Sequence, residues 1–220
     1  MHLEILIEDE SGKELLDILV PKIIDLSLHT FRIHPYKGLG ALPKDLDRIT
    51  DPKKKTLLDK LPSILKGYGK SLNPLDSSVI VVVDCDKRDC ITFKQELVCV
   101  LDHCDPKPTA FFRIAIEEVE AWLLGDKTAI EKAYPKMNQR EHSEYIQDSA
   151  LDTWEKLADI TLSPNAAKNL KKVGYPEVGR QKSEWAKRIG VYMDIHNNRS
   201  PSFNCFKKKL EELTKGGGIL

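Results

Sequence analysis

Five β-branched residues in a row, Val79-Ile80-Val81-Val82-Val83, stop abruptly at Asp84-Cys85-Asp86, and this constrains the chain most. Such a run is a strand, and it fixes the strand's end at the first aspartate. The N-terminus repeats the pattern: Leu3-Glu4-Ile5-Leu6-Ile7 reads as a buried strand over residues 2–8 and runs into Glu8-Asp9-Glu10. Thr30 to Tyr36 and Thr109 to Ile116 are two further strand-like stretches.

Between these stretches the apolar residues recur at helical spacing. Leu15, Leu16, Ile18, Leu19, Ile23 and Ile24 predict one helix, with Ser11 as its N-cap and Pro21 expected to kink or split it. Leu57, Leu58, Leu61, Ile64, Leu65 and Tyr68 predict a second despite Pro62, and residues 90–103 predict a third. The order βαβαβαβ implies an α/β fold with a mostly parallel four-stranded sheet flanked by helices. Beyond Ile116 the pattern is helical, broken at Pro135, Pro164, Gly174-Tyr175-Pro176 and Ser200-Pro201. Two parts are expected: an α/β domain over 1–125 and a basic helical extension over 126–220, whose closing glycines after Thr214 read as a frayed tail.

The composition, 41% hydrophobic and 31% charged over 220 residues, is that of a globular protein with a real core. No apolar run approaches the ~20 residues of a membrane-spanning helix. No basic segment followed by an apolar one opens the chain, so the expected location is cytoplasmic, without membrane contact. Five cysteines, an odd number, argue against a disulfide framework and for reduced, mostly buried thiols. Cys85/Cys90 and Cys99/Cys104 each enclose four residues, a spacing that does not match standard zinc sites.

The net charge is zero but unevenly spread. Residues 1–125 carry 17 basic and 21 acidic residues, whereas 160–209 carry 11 and 3. An acidic site beside a polyanion-binding surface fits this asymmetry, and solvated helix faces fit it equally. Lys168, Lys171, Lys172, Lys182, Lys187 and Arg188 are the candidates for phosphate-backbone contacts with DNA or RNA. Arg199, in Asn198-Arg199-Ser200-Pro201-Ser202-Phe203, is a further candidate, with Ser202 expected to cap a final helix. Trp122, Trp154 and Trp185 fall in helical patterns and read as core.

Open α/β sheets build their sites at the C-terminal ends of strands. Glu8, Asp84 and Asp86 meet there if their strands are neighbours, and so many carboxylates crowd stably only with protons or cations between them. Oxygen-only ligands suit Mg²⁺ or Mn²⁺, and the chemistry expected is metal-dependent attack on phosphodiesters. On extended chain Asp84 and Asp86 point to one side; otherwise Asp86 or Asp89 caps the next helix. Glu118 and Glu120 share a face if the fourth strand continues, and diverge if a helix begins at Glu117.

A Glu after the first strand, an Asp-x-Asp after a later one and the βαβαβαβ order resemble the Toprim domain of topoisomerases, primases and nucleases. Leu58 to Tyr68 leading into Val81-Val82-Val83-Asp84-Cys85-Asp86, then Arg113 to Leu124, and Asn198 to Phe203 resemble more closely a bacterial Toprim-like family. That family is related to nucleases of the overcoming-lysogenization-defect type, and its genes lie near ATPase genes in defence-type loci. The resemblance implies a Mg²⁺- or Mn²⁺-dependent nuclease with Glu8, Asp84 and Asp86 as catalytic metal ligands, Glu120 as a further ligand, and an ATPase partner in phage defence. It departs at Asp9, where many Toprim sequences have Gly; Gly12 comes later, and Glu10 competes with Glu8 for the ligand role. Lys13 stands close enough to contact phosphate, or is a surface lysine. Rival functions are phosphoryl chemistry on a small nucleotide, or a non-catalytic metal-binding subunit of an ATPase complex.

Overall fold

The computed structural model describes residues 1–47, 51, 53–148 and 152–215; the glycine tail from 216 onward lies outside the described residues. Its first half alternates β1 (His2–Ile7), α1 (Glu10–Ile23), β2 (Thr30–Pro35), α2 (Leu57–Ser71), β3 (Ser77–Asp84), α3 (Cys90–Asp102) and β4 (Ala110–Ala115). All four strands are parallel, in the order β2-β1-β3-β4. The expected fold class is therefore the observed one. β1 and β3 are central and bury nearly every residue, as strands covered on both faces must. The sheet order reverses between them, which makes their C-terminal ends the topological switch point where such sheets open a crevice.

Pro21 and Pro62 split neither helix; α1 and α2 run through them. Leu6, Val79, Val81 and Val83 face α2 and α3 with Leu61, Leu65, Phe93 and Leu97. Leu3, Ile5, Ile80 and Val82 face the other way, toward α1. Helices α4 (Glu120–Leu124), α5 (Lys127–Ala133), α6 (Gln139–Ser143), α7 (Thr153–Thr161), α8 (Pro164–Val173), α9 (Glu177–Gly190) and α10 (Pro201–Lys215) follow. Trp122, Trp185, Phe203 and Phe206 belong to the same buried cluster as Leu3 and Leu16, so the C-terminal helices share the core of the sheet's α1 face. Gly190 permits the close approach of α9 to α1: a Cβ there would stand 3.1 Å from Leu15 Cδ1.

Two stretches distant in sequence lock together. Asn198 Nδ2 donates to the Trp122 carbonyl at 2.7 Å, the Arg199 amide donates to the Gly125 carbonyl at 2.9 Å, and a Cβ on Gly125 would lie 2.2 Å from Asn198 Oδ1. Ser200, not Ser202, caps α10: its Oγ accepts from the Phe203 amide at 3.2 Å, while Ser202 Oγ takes the Trp122 indole proton at 3.0 Å. Trp122 and Trp185 are fully buried and Trp154 partly, as expected. The five thiols are free, but only Cys85 and Cys104 are buried; Cys99 and Cys205 are exposed, against expectation. Among the described residues no helix is long and apolar enough to cross a membrane.

Candidate active site

Glu8 is the first residue past β1 and Asp84 the last of β3, so both stand at the switch point. The turn after Glu8 follows from Asp9, which is extended (φ −146°) and caps α1 by accepting the Gly12 amide at 2.8 Å. Asp9 takes the capping role expected of Ser11, whose hydroxyl donates to it instead. Gly12 lets α1 sit against β1, since a Cβ would lie 2.6 Å from Ile7 Cδ1. Glu10 is exposed on the first turn of α1, and Lys13 is paired with Asp17 at 2.5 Å. Glu8, by contrast, is partly buried and accepts the Leu39 amide, while its own carbonyl accepts the Gly38 amide at 3.0 Å.

Asp86 departs from the sequence expectation. The chain leaves β3 through a left-handed residue, Asp86 at φ 49°, and this ends the strand alternation that would have aligned it with Asp84. Its carboxylate is half-exposed and accepts from Arg88 at 3.1 Å, although its charge still acts on Glu8. Asp86 thus occupies the rim of the site rather than its interior.

A second left-handed residue, Glu117 at φ 58°, shapes the exit from β4. Its buried carboxylate accepts the Thr153 amide at 2.6 Å and the Asp152 amide at 2.5 Å, holding the start of α7. Glu118 and Glu120 neither share a strand face nor diverge. The turn brings both to Lys182 of α9, at 3.0 and 3.2 Å. Lys182 corrects the expectation of a surface phosphate contact: its side chain is 4% exposed and its ammonium is enclosed by carboxylates. The signal was legible, because Val178, Lys182, Trp185 and Ile189 form the buried stripe of α9, where a lysine needs a buried partner. Glu118 was visible as half of a pair, but only the turn at Glu117 gives it a role.

The electrostatics are those of a crowded acidic cavity. Burial, then Asp86 and Asp9, push Glu8 up to about 7. Burial, then Glu8 and Glu118, raise Asp84 well above the carboxylate range. Burial and Glu120 carry Glu118 to about 8, and burial raises Glu120 against the pull of Lys182. Burial opposes the charge on Lys182, but Glu120, Glu118 and Asp84 outweigh it and keep it protonated. One ammonium therefore serves four enclosed acids. Glu8 Oε2, Asp84 Oδ1 and Glu118 Oε2 are each sealed from solvent with no hydrogen-bond partner.

Carboxylate oxygens are the donors that a hard divalent cation such as Mg²⁺ or Mn²⁺ prefers, and these three lack any other partner. As the side chains stand, no three His, Cys, Asp or Glu groups among the described residues close on one point. Without a cation, protons must take its place. Glu8 and Glu118 bind protons when folded that they release when unfolded, between their ordinary 4.5 and about 7 to 8. Their contribution to stability is complete below pH 4.5 and is lost as pH rises toward 8. In EDTA, the wild-type melting temperature is expected to fall more steeply from pH 5.5 to 8.5 than that of a Glu8→Gln/Glu118→Gln variant. Equal slopes in calorimetric scans would contradict this.

The remaining six basic candidates lie on the surface, and three of them are paired with acids. Lys171 pairs with Asp159 at 2.6 Å, Lys187 with Glu14 at 2.8 Å and Arg188 with Glu184 at 3.1 Å. Lys168, Lys172 and Arg199 are exposed and carry no ion pair among the described residues. Arg199 lines a cleft with Lys127 and His142.

An all-parallel α/β sheet with an acid cluster at its switch point defines the class. The chain belongs to a family described as a domain of unknown function, DUF4276, whose model matches residues 7–211. That match covers β2 to β4, the acid cluster, Lys182 and most of α10, and takes in only the last residue of β1. No curated protein and no solved structure matches the chain significantly.

Proposed function

We propose that the protein is a Toprim-like, Mg²⁺- or Mn²⁺-dependent nuclease that hydrolyses nucleic-acid phosphodiesters. The observation carrying this reading is that Glu8 and Asp84 at the switch point, and Glu118 past β4, each keep a sealed, unpartnered carboxylate oxygen, with Glu8 and Glu118 both acting on Asp84. Glu8, Asp84 and Glu118 would hold the cation, with Glu120 beside them and Asp86 at the rim. The cation supplies Lewis-acid stabilisation of charge on the phosphoryl group. Lys182 limits the repulsion among the acids, and the Leu39 amide orients Glu8. Lys168, Lys172 and Arg199 would contact the phosphate backbone. By its resemblance to the defence-type families, the enzyme acts in the cytoplasm as the effector of an ATPase partner.

The paired state of Lys171, Lys187 and Arg188 favours a second reading, phosphoryl hydrolysis on a small nucleotide, which needs no wide basic surface. One experiment separates the two. Labelled single- and double-stranded DNA and RNA, and nucleoside triphosphates, are incubated with the protein in EDTA, Mg²⁺ or Mn²⁺, alongside Asp84→Ala. The nuclease reading expects polymer cleavage with Mg²⁺ or Mn²⁺ that disappears in EDTA and in the variant. Turnover of the triphosphates alone supports the second reading, and polymer cleavage retained by Asp84→Ala contradicts the site.

A further inference from the structure

A cavity of about 670 Å³ runs along the outer edge of β4, between α3 on one face of the sheet and α10 on the other. None of Glu8, Asp84, Glu118, Glu120 or Lys182 lines it. Its size is within the roughly 300–1,000 Å³ of small-molecule sites. Phe112, Ile114, Ile116 and Pro201 give it apolar walls.

Its charged lining is unbalanced. Lys94, Arg113, Lys208 and Lys209 face Asp148 and Glu212. Asp148 is already engaged, accepting from Ser200 Oγ at 3.0 Å and from the Ser202 amide at 2.8 Å. Glu212 pairs with Lys209 and stands 4.0 Å from Lys208. Lys94 is exposed and has no ion pair among the described residues. Arg113 is the decisive group. Its Nη1 donates to the Phe112 carbonyl at 2.7 Å, but its Nε is sealed from solvent and has no acceptor. The sealed Nε is beyond a ligand's reach, but Arg113 lines the cavity and brings its charge to the wall, where an anionic acceptor is the strongest partner.

Apolar walls beside a cationic rim that includes the Arg113 guanidinium call for a ligand with a ring-bearing apolar body and a phosphate head. We propose that this edge pocket binds a mononucleotide, its base against Phe112, Ile114 and Pro201 and its phosphate on Arg113 and Lys94. The site is independent of the cation and of the nuclease reading. An open strand edge also suits strand addition by a second chain, which the same experiment detects.

The test is calorimetric titration of the full chain with AMP in EDTA, with adenosine and inorganic phosphate as the separate halves. AMP is expected to bind at least tenfold more tightly than either half. Lys94→Met and Arg113→Met should each weaken it at least tenfold, with unchanged circular dichroism. Lys94 is exposed on α3, so its variant remains informative if Arg113→Met misfolds. Asp84→Asn should leave AMP affinity as it was. No binding at millimolar AMP, or equal affinity in Lys94→Met, overturns the proposal. Loss in Asp84→Asn would move the nucleotide to the carboxylate cluster. A concentration-dependent dimer that AMP leaves intact would assign the edge to a second chain.

Discussion

Lys182→Met is expected to destabilise the cation-free protein by about 3–5 kcal/mol at pH 8, the range for removing one partner of a buried ion pair. Its ammonium, 4% exposed, lies 3.0 Å from Glu118 and 3.2 Å from Glu120, and its charge also reaches Asp84. A methionine fills much of the same volume and leaves those carboxylates without a fixed counter-charge. The loss is pH-dependent. Near pH 5 Glu8 and Glu118, held up at about 7 and 8, carry protons and demand less counter-charge, so the loss shrinks there; as pH rises they must ionise without the ammonium. Mg²⁺ should restore part of the loss at pH 8. Urea midpoints at pH 5 and 8, with and without Mg²⁺, measure this, and an equal loss at both pH values would reduce Lys182 to a packing residue.

Asp84→Asn is expected to act in opposite directions on stability and activity. The amide keeps the shape of a carboxyl whose ionised form is opposed by burial and by Glu8 and Glu118. Removing the cost of keeping that carboxyl protonated in the folded chain should raise stability in EDTA at neutral pH by about 0.5–2 kcal/mol, as when a strained functional site is relaxed. Metal-dependent cleavage should fall by more than the roughly 10–100-fold that loss of a merely supporting residue costs. Melting curves and cleavage rates on the same preparation test both halves. Lower stability together with lower activity would make Asp84 structural.

The sheet was legible because its signal is local. Apolar runs ending in acids marked β1 and β3, and helical spacing between them implied parallel strands. Glu8 and Asp84 followed, since a strand end is a place as well as a pattern. Asp86 did not: its left-handed backbone is a property of the turn, and nothing in Asp-x-Asp announces it. Glu118 and Lys182 lie 64 residues apart and meet only through the packing of α9 on the sheet. The pairing of the basic surface was hidden for the same reason, as counting lysines along the chain cannot show that Glu14 lies opposite Lys187 or Asp159 opposite Lys171. Ser200 replaced Ser202 as the cap because α10 begins at Pro201, which puts Ser202 inside the first turn, where its hydroxyl accepts the Trp122 indole N–H.

The central claim, that the acid cluster is a divalent-cation site, is tested most directly by calorimetric titration with Mn²⁺ at pH 7.5 in two buffers of different ionisation enthalpy. Glu8 and Glu118, held up at about 7 and 8, must give up protons as the cation enters. The expected result is saturable binding with proton release, abolished in Asp84→Asn and weakened in Glu118→Gln. Binding absent up to millimolar Mn²⁺, or unchanged in Asp84→Asn, would contradict the account.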